Sequence, residues 1–171
     1  MSGKNSRRAA RNFQVRLGKL NPAETVIVGI GNVLKGDDGA GPRVCQILKD
    51  EISTEVIDAG STPENYIAKI VQMLPKKLLI IDAIDFGSPP GTVRIFDIQD
   101  LDKFSFSTHC LSPHLFVEVI QSEIDADVIF IGIQPAHLQF GCGLSKQVAG
   151  ASAALADEIK LAISQSGRPR D

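Results

Sequence analysis

The sequence predicts an α/β fold: a three-layer sandwich with a mainly parallel, twisted five-stranded sheet, one antiparallel edge strand and helices on both faces. Two observations carry most of this. Short, β-branched apolar runs recur along the 171 residues, and segments of helical period alternate with them. A third observation sets the exception. The turn Gly87-Ser-Pro-Pro-Gly91 is too short to hold a crossover helix. Thr92–Asp97 therefore runs antiparallel at an edge, since parallel neighbours need a dozen or more connecting residues.

Residues 1–20 read as a basic N-terminal extension. Lys4, Arg7, Arg8, Arg11, Arg16 and Lys19 are accompanied by no acid, which suits a solvated tail, a short surface helix, or an arm for an acidic partner. The Arg7-Arg8 pair is followed by no apolar stretch, so export is not expected. Residues 21–165 form the single domain. Val26-Ile27-Val28-Gly29-Ile30 is the first strand, and Val44, Ile47, Leu48 and Ile52 mark one face of the helix after it. Pro42 suits that helix's first turn. Glu55–Asp58 is the second strand. Pro63-Glu64 opens a helix carrying Ile67, Ile70, Val71 and Leu74, with Ser61 or Thr62 as cap. Leu78–Asp82 is the third strand. A polar segment at 98–108 leads to a helix from Ser112 through Val119, then to a fifth strand at Asp127–Ile133. An alanine-rich helix spans 145–164, and residues 166–171 are expected to fray.

Composition narrows the function classes. A chain this long buries about 70% of the surface its unfolded form exposes, enough for one core. The net charge of −2 does not favour nucleic acid as a partner, and no apolar run approaches membrane-spanning length. Three cysteines without a secretory leader point to a reducing cytoplasm.

The chemistry concentrates after the first strand. Gly29, Gly31, Gly36, Gly39 and Gly41 invite a dinucleotide reading, but Leu34 stands where G-x-G-x-x-G needs glycine, and no Gly-Lys-Ser/Thr comes after it. Asp37 and Asp38 would also repel a phosphate. The pair admits two readings: stabilisation of the helix N-terminus, or a metal or proton-transfer role for one of them. Right-handed crossovers would bring Asp38, Asp58 and Asp82, each near the carboxyl end of a strand, to one crevice.

Three histidines compete as ligands. His109 lies in a polar Ser-Thr-His-Cys loop, His114 just inside the next helix, and His137 in the loop after the fifth strand. Cys45 reads as core. Cys110 and Cys142 lack the C-x-x-C spacing of a zinc site, and Cys110 beside His109 in sequence does not make a nucleophile–base pair.

The residues Gly29-Ile-Gly-Asn-Val-Leu-Lys-Gly-Asp37-Asp38-Gly-Ala-Gly41 resemble the opening motif of the nickel–iron hydrogenase maturation endopeptidases. The likeness continues through Asp58-Ala-Gly-Ser-Thr-Pro-Glu-Asn65, Ile80–Gly87, Ser107-Thr-His109 and Ile131-Gly-Ile-Gln-Pro135, over roughly residues 25 to 165. Having Asp38 at the first acidic position makes the chain most similar to the branch serving formate-hydrogenlyase-type or membrane-bound hydrogenases. The resemblance implies an endopeptidase that trims the C-terminal extension of an immature hydrogenase large subunit after nickel insertion. It implies a metal-recognising triad of Asp38, Asp82 and His109, with Asp38 and Asp82 also catalytic. Asp58 and Gly60 are expected to contact substrate, Gly60 by letting its backbone approach closely. The nickel is expected to arrive on the substrate, so the site should be empty in the isolated enzyme. A cytoplasmic monomer, aided by a maturation chaperone, is the expected setting. Two rivals remain: a hydrolase with its own tightly bound zinc, and a non-proteolytic ligand-binding or assembly module of the same fold.

Overall fold

The computed structural model describes residues 13–104 and 112–165. β1 (Thr25–Ile30) is buried at all of its positions. It leads through a 3-10 turn, Gly36–Gly39, into helix α1 (Ala40–Leu48). β2 (Glu55–Gly60), α2 (Ile67–Met73) and β3 (Lys77–Ala83) come next. β4 (Val93–Phe96), α3 (Pro113–Glu123), β5 (Asp127–Ile133) and α4 (Lys146–Ser164) complete the order. The strands lie in the order β2-β1-β3-β5-β4. All neighbours are parallel except β4, which pairs antiparallel with β5 at the edge. This is the predicted architecture.

The strands read as continuous apolar runs because both faces are covered. Ile27, Leu79, Ile81, Ile129 and Ile131 pack with Val44 and Leu48 of α1 and Leu155 and Ile159 of α4. Val26, Val28, Leu78, Ile80 and Phe130 turn to the other face, against Ile70 of α2 and Phe116 and Ile120 of α3. Each fully buried side chain of this kind contributes about 1.5–3 kcal/mol. Close approach at one glycine brings α1 onto the sheet: a Cβ on Gly41 would strike the Ile30 and Ile81 carbonyls.

Several boundaries differ from the sequence reading. α1 stops at Leu48, and Ile52 reaches the same core after a turn closed by Glu51 N–H donating to the Leu48 carbonyl at 3.0 Å. The segment from Pro63 begins as a 3-10 turn, Pro63–Tyr66, and Thr62 makes no side-chain cap bond. Leu74 is not on the α2 face. It takes a left-handed conformation with φ 48° and is 70% exposed, because Pro75 disfavours the helical region for the residue before it.

Residues 13–20 belong to the packed body rather than to a tail. Residues 13–17 are helical, Leu17 and Leu20 are fully buried, and Leu20 N–H donates to the Ala162 carbonyl at 3.1 Å. Arg16 pairs with Asp97 and donates to the Ile95 carbonyl. Residues 1–12 and 166–171 lie outside the described residues. Ser112 caps α3 by accepting from Leu115 N–H, and α3 runs one turn past the expected Val119. Ser145 caps α4 in the same way through Val148 N–H. Among the described residues no helix is long and apolar enough to cross a membrane.

Candidate active site

β1 and β3 are adjacent and parallel, so the loops leaving their carboxyl ends emerge at one edge of the sheet. Asp82 sits near the end of β3, one residue beyond Ile81, which pairs with Gly29. Its side chain is 1% exposed, and its Oδ1 accepts from Ala83 N–H at 2.7 Å. Asp38 lies in the 3-10 turn after β1, and that turn rests against β3. Asp38 is fully buried, and its Oδ2 accepts from Asn32 N–H at 2.8 Å. The loop folds this tightly because Gly31 has φ 138° and no side chain; a Cβ there would collide with the Asp38 carbonyl. Two buried carboxylates therefore occupy the carboxyl edge of the sheet, as the topology requires.

Alternation along the strands separates Asp58 from Asp82. Asp82 shares its parity with Leu78 and Ile80, on the face covered by α2 and α3. Asp58 shares its parity with Val56, on the α1 and α4 face. Asp58 is exposed, its Oδ1 accepts from Gly60 N–H at 3.1 Å, and Gly60 takes φ 58°. With Val33, Pro42, Arg43, Gln46 and Leu144, Asp58 lines a groove of about 380 Å³. Asp38 and Asp82 are thus both buried near the carboxyl ends of adjacent strands, while Asp58 is exposed in a groove that Gly36 and Gly39 of the Asp38 turn also line. His109 lies outside the described residues; α3, which begins four residues later, packs on the Asp82 face.

Asp37 does not cap α1, for neither the 3-10 turn nor α1 has a side-chain cap bond. It is fully buried. Its Oδ2 accepts from Ala136 N–H at 2.7 Å and His137 N–H at 3.2 Å, and its Oδ1 from Ser145 N–H at 2.6 Å. Its own N–H donates to the His137 carbonyl at 3.1 Å. The carboxylate ties the β1–α1 loop to the β5–α4 connection about a hundred residues away.

The remaining histidines and cysteines occupy different settings. His114 Nδ1 is 3.4 Å from Asp102 Oδ2 at the surface. His137 is packed on Gly36, and its buried Nδ1 has no hydrogen-bond partner among the described residues. The Cys45 thiol is pushed up to about 12, first by burial and then by the nearby Asp58 charge. It stays protonated at neutral pH and cannot serve as a nucleophile. Cys142 is exposed with Sγ 3.9 Å from Gln139 Oε1, and Cys110 lies outside the described residues. Among the described residues no group of three or more His, Cys, Asp and Glu side chains is placed to hold a metal.

One organising residue, Gln134, enters the sequence reading only within the Ile131–Pro135 likeness and without a role of its own. Gln134 is 5% exposed. Its carbonyl accepts from Phe86 N–H at 2.8 Å and Ser88 N–H at 3.2 Å, while its amide donates to Asp85 Oδ1 and the Pro135 carbonyl. It shapes the loop after Asp82. The Gln134 amide, then the Gly87 N–H, lowers the pKa of the exposed Asp85 carboxyl. The signal available in sequence was a polar residue directly after an apolar strand, which reads equally as a loop start.

The hydrogenase maturation protease HycI family matches residues 43–162. The chain belongs to the hydrogenase maturation protease family. Its similarity to the hydrogenase 3 maturation protease of Escherichia coli K12 is 39% identity over 118 residues, 67% of this chain and 75% of that protein. A putative hydrogenase maturation protease of Methanocaldococcus jannaschii is 34% identical over 146 residues, 79% of this chain and 86% of the relative. The crystal structure of the [NiFe] hydrogenase maturation protease HycI from Thermococcus kodakarensis KOD1 superposes with TM-score 0.77 at 29% identity, covering 83% of this chain and 93% of that one. The solution structure of the endopeptidase HycI from Escherichia coli gives 0.72 at 34% identity, over 78% and 86% of the two chains. The five-stranded sheet and its surrounding helices are the architecture of this peptidase family.

Proposed function

We propose that this chain removes the C-terminal extension of an immature nickel–iron hydrogenase large subunit, recognising the inserted nickel through Asp38, Asp82 and His109. The observation that carries the reading is the burial of Asp38 and Asp82 together at the carboxyl edge of adjacent parallel strands. Buried carboxylates interact with a cation far more strongly than exposed ones, since solvent screens them less. Two carboxylates and one imidazole leave coordination positions open for ligands that the substrate itself provides. The nickel in this reading is part of the substrate and marks it as ready for trimming.

Cleavage proceeds by water attack on the scissile carbonyl. One of the two carboxylates takes the water's proton, the C–N bond breaks, and the proton passes to the leaving amine. Cys45 takes no part, because its thiol stays protonated. The test is incubation with a tail-bearing large subunit, loaded with nickel or free of it. Only the nickel-loaded form should be trimmed, and preloading the enzyme with zinc should not rescue the other. Equal trimming of nickel-free substrate would overturn the recognition role and leave an ordinary peptidase.

A further inference from the structure

The loop that carries Asp38 is held from two directions. On one side, Asn32 N–H donates to Asp38 Oδ2 at 2.8 Å. On the other, the β5–α4 connection holds the residues just before it. Gly141 N–H donates to the Leu34 carbonyl at 2.9 Å, and Gly36 N–H donates to the Cys142 carbonyl at 3.1 Å. The firmest tie is the Asp37 carboxylate, fully buried, with three main-chain donors from Ala136, His137 and Ser145. Asp37 and Asp38 are consecutive in a four-residue 3-10 turn. A rotation of that turn cannot move one carboxylate without moving the other.

We propose that Asp37 is a positioning residue for Asp38: by anchoring the 3-10 turn to the β5–α4 connection, it fixes the direction in which the Asp38 carboxylate points. The proposal rests on the recognition role given to Asp38 under the proposed function. A buried carboxylate suits this task because it accepts from several main-chain amides at once, and such charge-assisted bonds are the stronger kind. An amide in its place keeps one acceptor oxygen but turns an NH₂ donor toward at least one of the same N–H groups. The turn is then free to roll, and the Asp38 carboxylate leaves Asn32.

Asn32 N–H supplies a readout independent of activity. Asp37→Asn is compared with Leu48→Ala, a fully buried position at the far end of α1 that lowers stability without touching the turn. Amide hydrogen exchange is measured at Asn32 relative to Ile80 in β3, and kcat/KM is measured on nickel-loaded, tail-bearing large subunit. Asp37→Asn should raise the Asn32 exchange rate roughly tenfold relative to Ile80 and lower kcat/KM by roughly ten- to a hundredfold, the scale of a misplaced active-site group. Leu48→Ala should leave both ratios within about twofold. Should Asp37→Asn fail to fold, Ala136→Pro removes one donor, leaves the carboxylate intact, and should move both readouts in the same direction. A folded Asp37→Asn with an unchanged Asn32 ratio overturns the proposal. If even the unaltered protein trims no substrate, the recognition reading fails, and the Asn32 ratio still decides what Asp37 positions.

Discussion

The two edges of the sheet hold their charges in opposite ways. At the amino edge, Arg16 pairs with Asp97, Lys77 with Asp127 at 3.5 Å, and Lys76 with Glu24, mostly with exposed side chains. Part of this edge is an open cavity of about 590 Å³ lined by Arg16, Asp97, Asp100 and Asp127, larger than the groove beside Asp58. At the carboxyl edge, Asp37, Asp38 and Asp82 are buried, and the bonds described for them come from main-chain N–H groups. Exposed ion pairs are screened and individually weak, whereas a buried carboxylate must be matched by fixed donors. Volume alone would point to the amino edge. The cost of keeping carboxylates away from water points to the other one, where the glycine-rich segment Gly29–Gly41 lies.

The largest contrast should appear in activity. Asp38→Asn and Asp82→Asn should each lower tail removal by at least about a hundredfold while circular dichroism and the melting profile stay near those of the unaltered protein. Loss of activity that merely tracks unfolding would erase the distinction between the edges. In stability, Asp37→Asn should cost about 2–4 kcal/mol, since it leaves buried donors unmatched. Urea denaturation reads this directly, and a cost below that of an average surface change would refute the clamp.

Gln134→Ala should be milder, about 1–3 kcal/mol, through the lost acceptor for Phe86 and Ser88. The same substitution should let the Asp85 pKa rise toward the ordinary carboxylate range, observable by NMR titration. Asp85's folded pKa is lowered, so its stabilising contribution is present above the unfolded value and is lost as pH falls through the folded one. In the Gln134→Ala protein that acid-side loss should shrink. The smallest effect belongs to the amino edge: Asp97→Ala should change stability by less than about 1 kcal/mol, and added salt should diminish even that. A cost comparable to that of Asp37→Asn would show that the two edges are not so different.

Much of the fold was legible because its signals are local. Strand identity, the antiparallel edge and the positions of the helices that start near Ser112 and Ser145 all come from runs, turns and spacing. Asp38 and Asp82 were legible from strand ends combined with handed crossovers. Asp37 was not, because its partners at 136, 137 and 145 are invisible from its own neighbourhood, where it looks like any acid at a helix start. The face on which Asp58 lies was not legible from its strand end, since strand ends predict an edge and only alternation along a paired strand predicts a face. Leu17 and Leu20 were hidden among basic residues whose charge suggested solvent. Leu74 kept helical spacing, yet the proline after it took it out of the helix.

The long reach of the Asp37 carboxylate also bears on the order in which a newly made chain becomes competent. β1, α1, β2, α2 and β3 can be complete once residue 83 has been synthesised, and Asp37, Asp38 and Asp82 are then all present. Their setting is not. The amides of Ala136, His137 and Ser145 that hold the turn exist only after most of the chain has been made. A nascent chain carrying a finished-looking first half would therefore hold its acidic residues in an unset loop, and the peptidase cannot be fully assembled until its last strand and helix have docked.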